Sequence, residues 1–328
     1  MTAGPRVSVC VPTWQGAAFV AASVGSALAQ DVDGLEVVVS DDGSTDGTLD
    51  VVASLRDPRV RVVTGRRLGL PGNWDRALRA ARAPALLLLG QDDHLEPGGL
   101  ARLLAALDAR PDAAFAYGRR RVLVDAGPDG APDADLHRLA ADVEGAQDLL
   151  GPPPPFRPAF GLLEAWAATK ALANPVGEPS VVLMRRAALR RAGLFSRRLV
   201  QLVDIEMWAR LAAVGGVAFV DAVVATFRVH AASATRRHAA TGRDALDRLW
   251  LLEGLLEDPA IASAWPALRK WRRHEARRVV RRIVDGTLGT SPRPGRHAAK
   301  GLREWLWWRA LRPFGRAPRL HASYGRSG

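Results

Sequence analysis

Strand-like and helical segments alternate through residues 7 to 117, and this alternation constrains the fold more than any other feature of the chain. Apolar, β-branched runs fall at 7–13 (VSVCVPT), 35–40 (LEVVVS), 59–64, 85–90 (ALLLLG) and 113–117. Segments with helical spacing lie between them at 17–29, 49–55, 73–82 and 99–109. The pattern predicts an α/β fold with a doubly wound, mostly parallel sheet, joined by right-handed crossovers and flanked by helices. In such a sheet the carboxyl ends of the parallel strands face one side, and ligands bind in the crevice there.

Two of the loops that should line this crevice are acidic. The second run leads into Asp41-Asp42-Gly43-Ser44-Thr45-Asp46-Gly47-Thr48, and the fourth into Gln91-Asp92-Asp93-His94. Adjacent carboxylates raise the cost of ionising one another, so a cation belongs beside them. Mg²⁺ or Mn²⁺ suits the position, because these hard ions take one or two carboxylates and complete their shell with phosphate oxygens. The alternative is that Asp92 or Asp93 caps a helix beginning near Pro97-Gly98-Gly99-Leu100. Asp41, Ser44 and Asp46 have the same alternative in a turn and the cap of the next helix.

At 328 residues, 48% of them hydrophobic, the chain is long enough to bury a sizeable core. The single cysteine, Cys10, excludes an internal disulfide framework and a cysteine-based zinc site. No signal-peptide pattern precedes Val7, and no run reaches the roughly 18 apolar residues of a spanning helix, so a cytoplasmic protein is expected. Net charge is +12, and residues 265–328 hold 17 Lys and Arg against three acids, which leaves the preceding body near neutral.

Residues 125–160 break into Gly, Pro and Asp, including Gly151 and four prolines after it, and read as an insertion or loop. Regular spacing resumes with an apolar run at 180–184, a helix at 186–192 and another at 202–211. A strand pair is expected at 217–220 and 223–229, and Arg-rich helices after residue 238.

Four ordered motifs carry a resemblance: Val7 to Trp14, Ser40 to Thr48, Gln91-Asp92-Asp93, and Asp204-x-Glu206-x-Trp208. Together they resemble a family 2 glycosyltransferase of the GT-A fold, over roughly residues 7 to 230. The resemblance implies a GT-A-like domain at 1–238 and a helical, Arg/Trp-rich extension at 239–328. It implies an inverting transfer of sugar from a nucleoside-diphosphate sugar to an acceptor hydroxyl, in surface polysaccharide or glycolipid synthesis.

The same resemblance implies roles for individual residues. Pro12, Thr13 and Trp14 flank the nucleotide, and Asp42 accepts from the ring N–H of the base, which favours UDP or dTDP, although a guanine ring N–H meets the same acceptor. Asp92 approaches the ribose and Asp93 holds Mn²⁺ or Mg²⁺. Gln91 stands where the family's motif has Asp. Asp204, four residues before Trp208, is the catalytic base; its alternative is an N-cap, with Glu206 solvated. Asn174-Pro175-x-Gly177-x-Pro179-Ser180 resembles an acceptor-side segment, and Phe227-Arg228-Val229-His230 a late element that brings His230 toward the metal; a structural histidine is the other reading. Asn73 either approaches the nucleotide or caps a helix.

Half of the ten Trp residues follow residue 264. Their mixture with Arg suits a helix in a membrane interface, which would place the protein at the inner face of a membrane near a saccharide or lipid-linked acceptor. They suit equally a helix that packs back on the domain. Two other functions are weighed: a nucleotidyltransferase, for which no Gly-rich phosphate loop follows the first strand, and a nucleic-acid binder, against which the near-neutral body argues.

Overall fold

In the computed structural model, which describes residues 4–126, 133–169, 173–231, 233, 246–287 and 296–311, nine strands form one sheet flanked by helices. The elements through the first half are β1 (Val7–Thr13), α1 (Val20–Leu28), β2 (Leu35–Asp41), α2 (Thr48–Ser54), β3 (Val60–Thr64), α3 (Leu70–Ala80), β4 (Ala85–Leu88), β5 (His94–Leu95), α4 (Gly99–Asp108) and β6 (Ala113–Val124). There follow α5 (Ala134–Gln147), β7 (Phe156–Arg157), α6 (Gly161–Thr169), β8 (Val182–Arg185), α7 (Arg186–Ala192), α8 (Val203–Val214) and β9 (Gly216–Val229). The last helices are α9 (Asp247–Glu257), α10 (Pro259–Ala264), α11 (Ala267–Thr287) and α12 (Arg296–Leu311). The boundary expected at 238/239 lies outside the described residues, as do 127–132 of the Gly/Pro-rich stretch and the tail beyond 311.

The strand order is β3-β2-β1-β4-β8-β6-β9-β5, with β7 against β9. β1, β2, β3 and β4 pair in parallel, and β6 with β9 likewise; β8 runs antiparallel between β4 and β6. The mostly parallel sheet expected from the alternation is therefore present. All seven residues of β2 and all four of β4 are buried, as runs covered on both faces by helices must be.

Register explains the shape of the crevice. Tyr117 pairs with Val182 and Leu87 with Leu183, so β6 passes the level where β4 ends and continues to Val124 with β9 alongside. This overhanging half of β6 and β9, edged by β5, makes one wall. β9 is a single strand rather than the expected pair: Asp221 and Ala222 form an irregularity that shifts the register between Gly118 and Arg120. Gly99 begins α4 where a Cβ would lie 2.3 Å from the Val224 carbonyl oxygen, so only glycine lets the helix approach the strand there.

The stretch 125–160 contains a helix, α5, that the sequence reading lacks. Asp133 caps it by accepting from the Asp135 and Leu136 N–H groups, and only Leu136 and Ala140 on it are buried, so its apolar stripe is too thin to register as a period. The expected Arg-rich helices follow, each with one buried and one exposed face. Trp265 and Trp308 are fully buried, and α9 lies against α8 and α11.

Candidate functional site

The strand ends assemble one side of the crevice. Thr13 donates its hydroxyl to Asp41, whose other oxygen accepts the Gly43 and Ser44 N–H groups, so Asp41 builds the turn. Asp42 accepts from the Leu68 and Gly69 N–H groups and from Arg76, each at 2.8 Å. These three donors hold the loop that follows β3 over the carboxylate and leave part of its acceptor capacity unused. Asn73 lies inside α3 rather than at its start. It donates to the Thr13 and Ser40 carbonyls and accepts from Ser40 Oγ and Arg76, which fixes it as a brace beneath the strand ends. Pro12 and Trp14 stay half-buried, with the Arg67 guanidinium 3.8 Å from the centre of the Trp14 ring.

Gln91 acquires a physical reason. Its Oε1 accepts the Trp14 N–H at 2.9 Å and its Nε2 donates to the Trp14 carbonyl at 3.3 Å. An aspartate could accept but not donate, so the amide ties the end of β1 to the loop after β4. Just beyond it, Asp92 and Asp93 fold back over Gly90, where a Cβ would come within 2.6 Å of Asp93 Oδ2 and 3.1 Å of Asp92 Oδ1.

Asp93 is buried, accepting from Ser180 Oγ at 2.5 Å and from the Arg228 N–H at 3.0 Å. Burial and then the neighbouring Asp92 push its carboxyl well above the usual range, with Glu178 adding to the effect. His230 meets Asp92 Oδ2 through Nε2 at 2.8 Å and leans on Phe19, ring centres 4.9 Å apart. His230, expected beside the metal with Asp93, is thus brought to the same acidic pair through Asp92.

No cluster of three His, Cys, Asp or Glu closes a metal cage among the described residues. Two converging carboxylates do fit a hard divalent ion that draws its remaining ligands from phosphate and water, and a cation there would favour the ionised form of Asp93 against both its burial and the charge of Asp92.

Asp204 is the second residue of α8. Leu202 is the N-cap and uses no side chain, so Asp204 is not the cap. Its Oδ1 accepts the Ile205 N–H and its Oδ2 the Asn174 side-chain amide, both at 2.8 Å. Asn174 also closes its own turn by accepting from Val176 and Gly177 N–H groups, while Trp208 donates to the Gly177 carbonyl. Burial first and the nearby Glu178 second push the Asp204 carboxyl up to about 7. Glu206 is fully buried in a two-point pair with Arg210, both contacts 2.7 Å, and is not solvated as the alternative reading held.

Several buried neighbours of these residues escape sequence reasoning. Glu178, paired with the buried Arg120 at 2.8 Å, lies near enough for its charge to raise both Asp93 and Asp204. Arg120 is the middle of three consecutive arginines on β6, and strand alternation turns it alone inward, a signal that was available. Asp247 at the start of α9 accepts the N–H groups of Val200, Gln201 and Leu202 at 3.1, 2.6 and 3.0 Å, which holds the chain directly ahead of Asp204.

A family model described as Glycosyl transferase family 2 matches residues 8–157. An uncharacterised protein of Mycobacterium tuberculosis is 32% identical over 258 residues, covering 78% of this chain and 77% of its own. The chondroitin synthase of Pasteurella multocida is 33% identical over 129 residues; these are 39% of this chain and only 13% of that enzyme. The solved structure of a mannosyltransferase from Pyrobaculum calidifontis, in complex with GDP-Man and Mn²⁺, superposes with a TM-score of 0.56 at 21% identity, over 96% of this chain and 83% of its own.

Proposed function

Because the chain belongs to glycosyltransferase family 2 and is therefore a glycosyltransferase, we propose that it moves a sugar from a nucleoside-diphosphate sugar to an acceptor hydroxyl in one inverting displacement. The observation that carries this reading is the loop 174–180, which holds Asp93 through Ser180 and Asp204 through Asn174. One short segment thus sets the distance between a leaving-group site and a base.

In the proposed reaction Asp204 takes the acceptor's proton as that oxygen attacks the anomeric carbon opposite the diphosphate. A carboxyl raised to about 7 is both substantially ionised near neutrality and more basic than an ordinary aspartate. Pro12 and Trp14 offer the half-buried surface for the base, and the unused acceptor capacity of Asp42 suits a pyrimidine ring N–H, so UDP or dTDP is the favoured donor. Asp93 would hold Mn²⁺ or Mg²⁺, with Asp92 toward the ribose, and this ion would neutralise the departing diphosphate. Ser180 and the Arg228 N–H aim Asp93, and His230 orients Asp92. The catalytic unit is placed at 1–238, with the helices after it as an extension. A saccharide acceptor in polysaccharide assembly accords with the chondroitin synthase among the relatives, and a lipid-linked acceptor in glycolipid assembly is the alternative.

Calorimetric titration with UDP, dTDP and GDP, each with Mn²⁺ and again with EDTA, tests the reading. One pyrimidine nucleotide should bind in a metal-dependent way, and Asp93→Ala should remove the metal-dependent part. Failure of all three nucleotides to bind would overturn it.

A further inference from the structure

We propose that the outward face of α12, centred on Leu306 and Trp307, is a docking surface for an anionic lipid bilayer. The helix has two unlike faces. Inward, Trp308 packs edge-on against Trp250 with ring centres 5.7 Å apart, and Trp305 Nε1 donates to Glu253 at 3.2 Å. Arg309 and Arg272 reach the same fully buried carboxylate at 3.2 and 3.6 Å. Rolling the helix to hide its other face would strip a buried charge of two partners, Trp305 and Arg309, which favours the observed orientation.

Outward, Leu306 is 51% and Trp307 59% exposed, more than any other large apolar side chain among the described residues. Lys300, Arg303 and Glu304 share a shallow surface concavity with Trp307. α11 and α12 together carry twelve Lys and Arg against three acids, and Arg269, Lys270, Arg273, Arg277 and Arg281 of α11 are exposed.

This chemistry selects the occupant. A second copy of the chain would bring the same positive charge to the contact. A nucleic acid would use the cations and the indole but gain nothing from Leu306. An anionic bilayer uses all of them: ammonium and guanidinium groups at the phosphates, indole at headgroup level, and leucine at the acyl boundary. No helix among the described residues is long and apolar enough to cross a membrane, so the contact lies along the surface. The inference deepens the proposed transfer by placing the acceptor at a lipid surface, and it rests on that reading for the acceptor alone.

The test is flotation of the full chain with vesicles of phosphatidylglycerol and phosphatidylcholine, and with phosphatidylcholine alone. The protein should float only with the anionic vesicles, and about 0.5 M salt should release it. Leu306→Ala with Trp307→Ala should lower the partition coefficient about tenfold, and Lys300→Glu with Arg303→Glu at least as much. These side chains are exposed, and thermal melts that match the wild type will show that the variants fold. Equal binding by wild type and the apolar double variant would overturn the proposal. So would failure to bind vesicles, whether or not Trp307 then proves to mediate binding to duplex DNA or dimerisation. Nucleotide calorimetry on the same preparation separates the two readings: nucleotide binding without vesicle binding removes only the docking surface, and the reverse removes only the transfer.

Discussion

Asp93 and Asp204 are both carboxylates whose burial makes ionisation costly, yet the two regions that hold them are built from different material. Asp93 sits at the end of β4 and is gripped by groups from neighbouring parts of the sheet region, Ser180 ahead of β8 and the backbone of β9. Asp204 hangs at the start of α8, held by the turn at Asn174, while the backbone just before it is held by Asp247 of α9. The first centre is a property of the sheet. The second depends on a helix from the C-terminal part of the chain, so the two should respond differently when each support is removed.

The largest effect expected is at the proposed base. Asp204→Asn should lower the transfer rate by about 10²–10⁴-fold while nucleotide binding, proposed for the other centre, stays nearly intact. The same variant has a stability signature of opposite sign. The folded-state value of about 7 lies above the ordinary 3.8, so the Asp204 contribution to stability is fully present below about pH 4 and is lost as pH rises through about 7. Asparagine escapes that loss. Its amide turns a donor toward the Ile205 N–H or the Asn174 amide at a cost that does not depend on pH, so the stability of the variant relative to wild type should rise by about 1–3 kcal/mol between pH 4 and pH 8. Denaturant melts at the two pH values check it, and a relative stability that does not rise with pH would show that the carboxylate is not held at a cost.

Next in size is the support from α9. Asp247→Ala leaves three backbone N–H groups without their acceptor just ahead of Asp204, at a cost of about 1–3 kcal/mol in stability. With the base displaced, kcat should fall about tenfold or more while the affinity for nucleotide and metal is unchanged. Asp247→Asn, which keeps an acceptor oxygen, should recover part of kcat. Equal losses in kcat and nucleotide affinity would break the distinction between the two regions, because both centres would then depend on the C-terminal helices.

That division also governs what was legible from sequence. Strands covered on both faces announce themselves as uninterrupted apolar runs, so β1, β2 and β4, and the acidic loops at their ends, were readable. The residue types that chemistry requires were readable too, but their partners were not. Asp42 is a recognisable acceptor, yet its donors come from Leu68, Gly69 and Arg76, and nothing local to the motif encodes that approach. Asp221 in β9 looked like a turn because a polar residue interrupts an apolar run; an irregularity in the pairing accommodates it within the strand. Asp247 lies 45 residues after Leu202, whose N–H it accepts, a contact made by tertiary packing alone.

The smallest effect probes how the two centres share Glu178. This carboxylate lies near enough for its charge to raise both Asp93 and Asp204, and it is partly neutralised by Arg120. As the base must be ionised to accept a proton, kcat/KM should rise with pH through about 7 and then level off. Glu178→Gln removes a like charge and leaves the Arg120 guanidinium nearer to uncompensated, and both changes favour the ionised form of Asp204. The acidic limb of the profile should therefore move to lower pH. At pH 7 the gain in ionised base is at most about twofold, because about half is already ionised there, and lower basicity offsets part of it. The effect grows toward pH 6, where wild type is mostly protonated. A limb that stays in place, or moves up, would mean that Glu178 is screened from Asp204 and that burial alone sets its affinity for the proton.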